Sequence, residues 1–497
     1  MEVLSPELIH NIYHFLEPSW HYNLARTCRF IYYSSAHILR RHAAAYKNDR
    51  IASDREPSET VKLLNSLSHV TGVEAIEAWH VREYEVWGSR ASWDDWQQWR
   101  VDSDGAISME SGGNPAIEPE RVKTLANMYL REFTFTDTED HDLARNEIEN
   151  GGDGFVKMLI ISSLPRLTAL RFAERERDRH TSLEWMRKAA SRSLTASIPW
   201  PIGFISLRSV AVGVVTRNLR DSNGATARAN HLAILLRLPN IEEVYFRNLD
   251  MRLDGDFEDV DDVQDRFQLP GACSSVKRII LDRIKDDSWV FREALLMAPN
   301  ALEALVIRGH LETADEPMDG DMILVHLGDS PSCQSLRRFT FYRPDYINGR
   351  DSRSYEPGLL QGLDNLGLVS LCIQDIINEA LGEARNKQSD EEGSVQGMGN
   401  DDVSLPHCTN DDFINHDELV DAFVRLLPTS LEVLVIWGQE TYEEGEEWFR
   451  RGEYEEYETI DDAIVAMMRS GRFGRLKAVY LNPIEEDGTT PREKVTT

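Results

Sequence analysis

A serine in the string Gly328-Asp329-Ser330 is placed as a hydrolytic nucleophile could be. Such a serine reacts only when a base takes its proton, and no Asp-x-x-His follows toward the C-terminus to supply one. The string therefore predicts a turn between a helix and a strand. Asp102, Asp104 and Gly105 have calcium-loop spacing, but in that register the first position is Arg100 and the twelfth is Ser111. The leading carboxylate and the bidentate glutamate are both missing. The acidic run from Asp254 to Asp262 reads as a solvated charge run, and there is no glycine-rich phosphate cradle. The fourteen histidines are dispersed, and His407 beside Cys408 has no second pair nearby. Cys28, Cys273, Cys333, Cys372 and Cys408 are too scattered for a disulfide framework or a CxxC metal knuckle. The expectation is a protein that is not an enzyme and that holds neither a metal nor a cofactor.

Residues suited to binding are better organised. Leu4, Leu8, Ile12 and Leu16 recur every four positions near the N-terminus, with Ile9 and Phe15 widening the stripe. Five tryptophans, Trp79, Trp87, Trp93, Trp96 and Trp99, fall within 21 residues. They are expected to pack the junction between the N-terminal segment and the remainder of the chain, covering an open end. Trp87, Trp93 and Trp96 are the candidates if the cluster instead anchors a bound segment, since tryptophan is enriched at binding hot spots. Arg171, Arg208, Arg278, Arg337, Arg338 and Lys477 stand at the variable positions of a repeated segment. They predict a substrate face more basic than the rest of the molecule.

Local signals define the helices and strands that carry these residues. Ser5 can cap a first helix, Pro6 has the preset backbone angle for its first position, and Glu7 suits the positive dipole end. Glu17-Pro18-Ser19 breaks that helix. A second short helix carries Leu24, and a third, roughly Phe30 to Leu39, carries Phe30, Tyr33 and Leu39. A module of about 40 residues has too little core to be stable alone and must lean on a partner or on the rest of the chain.

Beyond it a sentence repeats: a helix-like apolar run, a Leu-Pro or Ala-Pro stop, then a short Leu-x-x-φ-x-φ strand in which φ is apolar. The members are LTALRF, LRSVAV, IEEVYF, VKRIIL, LEALVI, LRRFTF, LVSLCI, LEVLVI and LKAVYL, with VEAIEA (73–78) and LREFTF (130–135) as early candidates. Strand starts from Leu167 to Leu368 are spaced 40, 34, 35, 26, 34 and 32 residues apart, and then 63 and 45. Units of this kind cannot bury an apolar face alone, but stacked they share one core. The predicted fold is α/β: a three-helix module over 1–45, a Trp-rich junction with a first irregular repeat over 46–125, and a repeat solenoid over 126–485. Parallel strands line its concave wall with helices outside, acidic loops fall at 250–266 and 382–405, and 486–497 is a loose tail.

Composition excludes some classes. In 497 residues there are 85 acidic against 54 basic side chains, a net charge of −31. That disfavours nucleic acid and anionic lipid as partners, since both call for clustered Lys and Arg. A hydrophobic fraction of 41% supplies a sizeable core. No signal-peptide pattern, no spanning apolar run and no Asn-x-Ser/Thr sequon occurs, so a cytoplasmic or nuclear location is expected.

The N-terminal segment resembles the F-box, whose pattern is met by Leu4, Glu7, Leu8, Ile12, Leu16, Leu24, Cys28, Arg29, Phe30 and Leu39. It departs in having Ser5 where the family has proline, with Pro6 one residue late. Followed by the repeats, the whole is similar to fungal-type F-box proteins with leucine-rich-repeat-like arrays. The resemblance implies docking of a Skp-type adaptor, and through it a cullin–RING ligase, by Leu4, Pro6, Leu8, Ile12, Leu16 and Leu24. Cys28, Phe30 and Leu39 would then pack the module internally. It further implies that the repeats hold an unknown protein substrate for an SCF-type ubiquitin ligase, the chain itself doing no chemistry. The alternative is a free-standing repeat scaffold for protein–protein interaction with no ubiquitin role.

Overall fold

The structure, a computed structural model, describes residues 4–69, 71–101, 107–109, 117–133, 135, 138–173, 182–195, 198–214, 227–251, 260–284, 288–309, 320–342, 359–372, 416–438 and 462–483. The loop 382–405, the tail 486–497, His407 and Cys408 lie outside these residues. So does most of the candidate calcium loop.

The architecture is α/β, with eleven strands in one large sheet whose order along the sheet is their order in the chain. Two compact units divide the chain, Met1–Leu281 and Asp282–Thr497. In the first, strands Ile51–Ser53, Glu83–Val86, Ala169–Phe172, Ser209–Val212 and Glu243–Arg247 pair parallel, each with the next. Arg278–Ile284 follows at the boundary. In the second unit Ala304–Gly309, Arg338–Tyr342, Leu368–Cys372, Val433–Gly438 and Ala478–Pro483 do the same. Parallel neighbours need a crossover between them, and helices such as Gly154–Ser163, Ala229–Leu236, Trp289–Met297 and His416–Leu426 make it. Leu164-Pro165, Leu238-Pro239, Ala298-Pro299 and Leu427-Pro428 come after these helices and stop them, since proline cannot continue one.

Each of the nine Leu-x-x-φ-x-φ segments overlaps one of these strands, and in eight of them the strand starts two residues after the leading apolar residue. For LVSLCI that rule moves the leading residue from Leu368 to Leu366, because Leu368 is in register with Arg338. The φ positions form in-register layers. Tyr84, Leu170, Val210 and Val244 make one layer, and Leu305, Phe339, Val369, Leu434 and Val479 another, all fully buried. Strand entry has a fixed hydrogen-bond signature in which one carbonyl accepts from two successive N–H groups of the next strand. Arg50 O accepts from Arg82 and Glu83, Thr168 O from Arg208 and Ser209, and Arg337 O from Gly367 and Leu368, all at 2.9 to 3.1 Å. Small polar side chains tie the preceding turns together. The hydroxyls of Ser206, Ser275, Ser335 and Ser430 donate to the carbonyls of Pro165, Ile241, Leu302 and Leu366, and the amides of Asn240 and Asn365 donate to those of Ile205 and Gln334.

The two early repeat candidates are helical rather than extended. Val73–Ala75 is a 3-10 turn running into helix Ile76–His80, and Leu130 lies in helix Pro119–Glu132. Their place is taken by Ile51–Ser53 and Glu83–Val86. The second of these strands has the same frame, Val81-x-x-Tyr84-x-Val86, hidden among the tryptophans. The first lacks an apolar leading residue, having Asp49 instead. The predicted acidic loop 250–266 also contains helix Val260–Phe267.

Candidate partner-docking surface

Four helices build the N-terminal module: α1, Pro6–Phe15; α2, Pro18–Ala25; α3, Arg29–Ser34; and α4, Ala36–Asn48. The single third helix expected from Phe30 to Leu39 is thus two, separated at Ser35. Ser5 caps α1 by accepting from the Leu8 N–H at 3.3 Å, and Pro6 takes the first helical position. The Glu7 carboxyl is held below its ordinary range by a backbone hydrogen bond and by Ser5. Leu16 leaves the helix in extended conformation and Pro18 starts α2.

α1 has two apolar faces. Ile9 and Tyr13 point inward and join Ile38, Ala45, Val73 and Ile76 in one buried cluster, with Leu24 and Ile31 packed against it. Leu4, Leu8, Ile12 and Phe15 lie on the other face and are 47%, 51%, 36% and 81% exposed. At 100° per residue the two faces are about a third of a turn apart. The exposure continues through Trp20, Tyr22, Phe30, Tyr32 and Tyr33, and α3 has no buried residue at all. Of the eighteen large hydrophobic side chains exposed among the described residues, ten lie within the first 46 positions. An exposed apolar patch of this kind is a candidate interaction site.

The structure divides the expected roles. Leu4, Leu8 and Ile12 share the exposed stripe, Pro6 is exposed beside them, and Phe15 replaces Leu16 at its end, since Leu16 is half-buried. Leu24 is drawn into the core rather than presented. Cys28 and Phe30 are exposed and do not pack the module, and Leu39 is half-buried. Sequence periodicity found the stripe, but it could not say which face of so short a helix turns inward.

Beneath the stripe lies a feature that dispersal along the sequence concealed. His21, His42 and His80 are buried and hydrogen-bonded in a row, His21 Nδ1 to His42 Nε2 at 2.9 Å and His42 Nδ1 to His80 Nε2 at 2.9 Å. His21 Nε2 faces the carbonyls of Tyr13 and Leu16 at 3.1 and 3.2 Å, which can only accept. Every ring therefore carries its proton on Nε2, and His80 Nδ1 ends the row without a partner among the described residues. Burial lowers the pKa of all three, to about 3 for His42 and about 4 for His80. The row pins α2 and α4 to helix Ile76–His80, while the Tyr13 hydroxyl donates to His21 O at 3.2 Å.

The tryptophans are mostly structural. Trp96 is fully buried and donates to Gly151 O at 2.7 Å, which removes it as an anchor for a bound segment. Trp93 stacks on Trp96 at 5.4 Å and donates to Glu149 O, and Trp87 is half-buried under the Arg55 guanidinium. They surround a buried ionic cluster in which Arg90 and Lys157 meet Asp54 and Asp153. Lys157 Nζ is 2.9 Å from Asp54 and 3.0 Å from Asp153, and Arg90 is 3.1 Å from Asp153. Two charges of each sign balance, which is what makes burial of all four tolerable.

On the sheet face opposite the buried layers, the expected basic positions are neutralised by neighbours. Arg171 pairs with Glu83 at 3.0 Å, Arg278 with Glu243 at 2.6 Å, Lys477 with Glu432 at 2.6 Å and Arg208 with Glu242 at 3.8 Å. Arg337 and Arg338 are exposed. A glutamate from the adjoining repeat sits beside four of these six cations, so the face is mixed in sign rather than basic. Ser330 is buried and committed, donating to Leu327 O at 2.8 Å and accepting from the Ser332 N–H at 3.2 Å, as a turn residue does. Among the described residues no group of three or more His, Cys, Asp or Glu is arranged to hold a metal, and no helix is long and apolar enough to cross a membrane. No family model matches the chain, and no curated protein matches it in sequence.

Proposed function

We propose that the chain is the substrate-recognition subunit of an SCF-type ubiquitin ligase, with α1 to α3 docking a Skp-type adaptor and the repeats binding a protein substrate. The observation that carries this reading is the exposed Leu4-Leu8-Ile12-Phe15 stripe on a helix whose other apolar face is already buried. A helix presenting such a stripe suits a helix-in-groove partner, and the LSPEL start of that helix is where the F-box likeness lies. The sheet supports the second half. Strands added strictly in chain order, with the same entry hydrogen bonds each time, are what a leucine-rich-repeat-like α/β solenoid requires, its parallel strands on the concave wall and helices outside. In this role the chain contributes no chemistry; it raises the effective concentration of a substrate lysine near the conjugating enzyme.

The test is co-purification of a Skp-type adaptor with the full chain and with a Leu8→Glu, Ile12→Glu double variant. Removing 1–45 is a poor control, because Ile9, Tyr13, Ile38 and Ala45 complete a core with Val73 and Ile76. Both substituted side chains are exposed, so the variant keeps its fold. Adaptor recovered with the full chain and reduced ~100-fold or more with the variant is the expected result, since a buried charge at a docking helix costs several kcal/mol. Equal recovery sinks the reading.

A further inference from the structure

Most arginines on the exposed sheet face have a carboxylate beside them, but Arg82 and Arg166 at Trp79, and Arg50 next to Arg82, have none among the described residues. Arg166 lies with its Cζ 4.2 Å from the centre of the Trp79 ring, and Arg82 with its Cζ 5.7 Å from the same ring. Arg50 adjoins them, its carbonyl accepting from the Arg82 N–H at 2.9 Å. One terminal nitrogen of Arg82 donates to Trp79 O and Val81 O, at 2.9 and 3.0 Å. A guanidinium has five N–H groups, so three of its donors have no protein acceptor among the described residues. Asp49 and Glu77, whose charges act on the neighbouring His80, are already committed, Asp49 to Lys62 at 2.6 Å and Glu77 to Arg41 through two bonds of 2.7 and 2.9 Å.

We propose that Arg82 and Arg166, gathered about the indole of Trp79, form with the neighbouring Arg50 a binding site for a phosphate-type oxyanion. Three like charges sharing one small surface repel one another. Consistent with that, the pKa of the Arg82 guanidinium is drawn down to about 10 by burial and then by the charges of Arg166 and Arg50. An incoming dianion relieves the repulsion, and planar guanidinium forks match its oxygens two at a time. The indole holds two of the forks in place by cation–π contact. A phosphoryl group, with a charge of about −1.5 to −2 and three acceptor oxygens, suits three cations better than a single carboxylate does. The cluster also stands against a net charge of −31, so nothing in the composition as a whole would place it there. The site uses no residue of the α1 stripe, and it stands or falls independently of adaptor docking.

The experiment titrates the full chain with inorganic phosphate, and with a Gly/Ser peptide carrying phosphothreonine, threonine or glutamate at its centre, all at one ionic strength. Saturable binding of phosphate or of the phosphopeptide is expected. It should weaken about tenfold in each of Arg50→Gln and Arg166→Gln, as loss of a charged hydrogen-bond donor does. Both residues are exposed, and unchanged melting temperatures confirm that the variants are folded. Phosphopeptide binding well above inorganic phosphate identifies a phosphorylated chain as the source, whereas equal binding identifies the free ion. Absence of saturable binding, binding indifferent to both substitutions, or glutamate peptide binding as tightly as phosphothreonine overturns the assignment.

Discussion

His21, His42 and His80 are ordinary residues placed where charge is costly. Each has a pKa depressed by burial, so the folded chain binds fewer protons there than the unfolded chain below the unfolded value of about 6.5. Stability from the row is therefore fully present above about pH 6.5 and is lost as pH falls from there toward 4. Most carboxylates remain ionised over the upper part of that window, which isolates the histidine contribution. The expected outcome is a melting temperature flat above pH 7 that declines between pH 6.5 and 5. His42→Gln should make the decline shallower, because an amide offers one donor and one acceptor to the same neighbours yet does not titrate. An unaltered slope in that variant would place the pH dependence elsewhere.

At the scale of elements, close approach fixes how helices seat. A Cβ built on Gly203, in helix Ile202–Ser206, would come 1.9 Å from the carbonyl oxygen of Ile161 in helix Gly154–Ser163. The obstacle is backbone of an almost wholly buried helix, so it cannot swing aside. Gly203→Ala should therefore lower stability by about 1–3 kcal/mol, the usual range for overpacking, read as a shift in denaturant midpoint. The glycine at Gly328 makes a useful contrast, with nothing among the described residues within 4 Å of its added Cβ, and Gly328→Ala should be near neutral. Elements also show where sequence reading worked. The Leu-x-x-φ-x-φ frame located nine strands because each φ residue must enter a shared layer. It lost the strand at Glu83–Val86 because the flanking tryptophans drew it into a different pattern.

For the whole molecule, charge sets the balance. Ion pairs across the strands, such as Arg278 with Glu243, are exposed and worth little singly. The excess of 85 acidic over 54 basic residues acts everywhere at once. Screening reaches about 30 Å at 0.01 M salt and about 8 Å at 0.15 M. Adding sodium chloride over that range should thus raise the melting temperature, since it weakens net self-repulsion more than it weakens scattered pairs. A fall on adding salt would mean that the pairs dominate.

The sequence alone determined the period of the repeats, the proline stops and the capped start of α1, because each rests on local geometry that a few neighbouring residues specify. It determined the strand layers too, for an alternating apolar pattern can be buried in only one way. Tertiary structure decided the rest. Which face of α1 turns inward depends on Ile38, Ala45, Val73 and Ile76, up to 67 residues away. The histidine row joins positions 21, 42 and 80, and the buried ionic cluster joins 54, 90, 153 and 157. Those groups acquire their character from desolvation and from one another, and neither is present until the chain has brought them together.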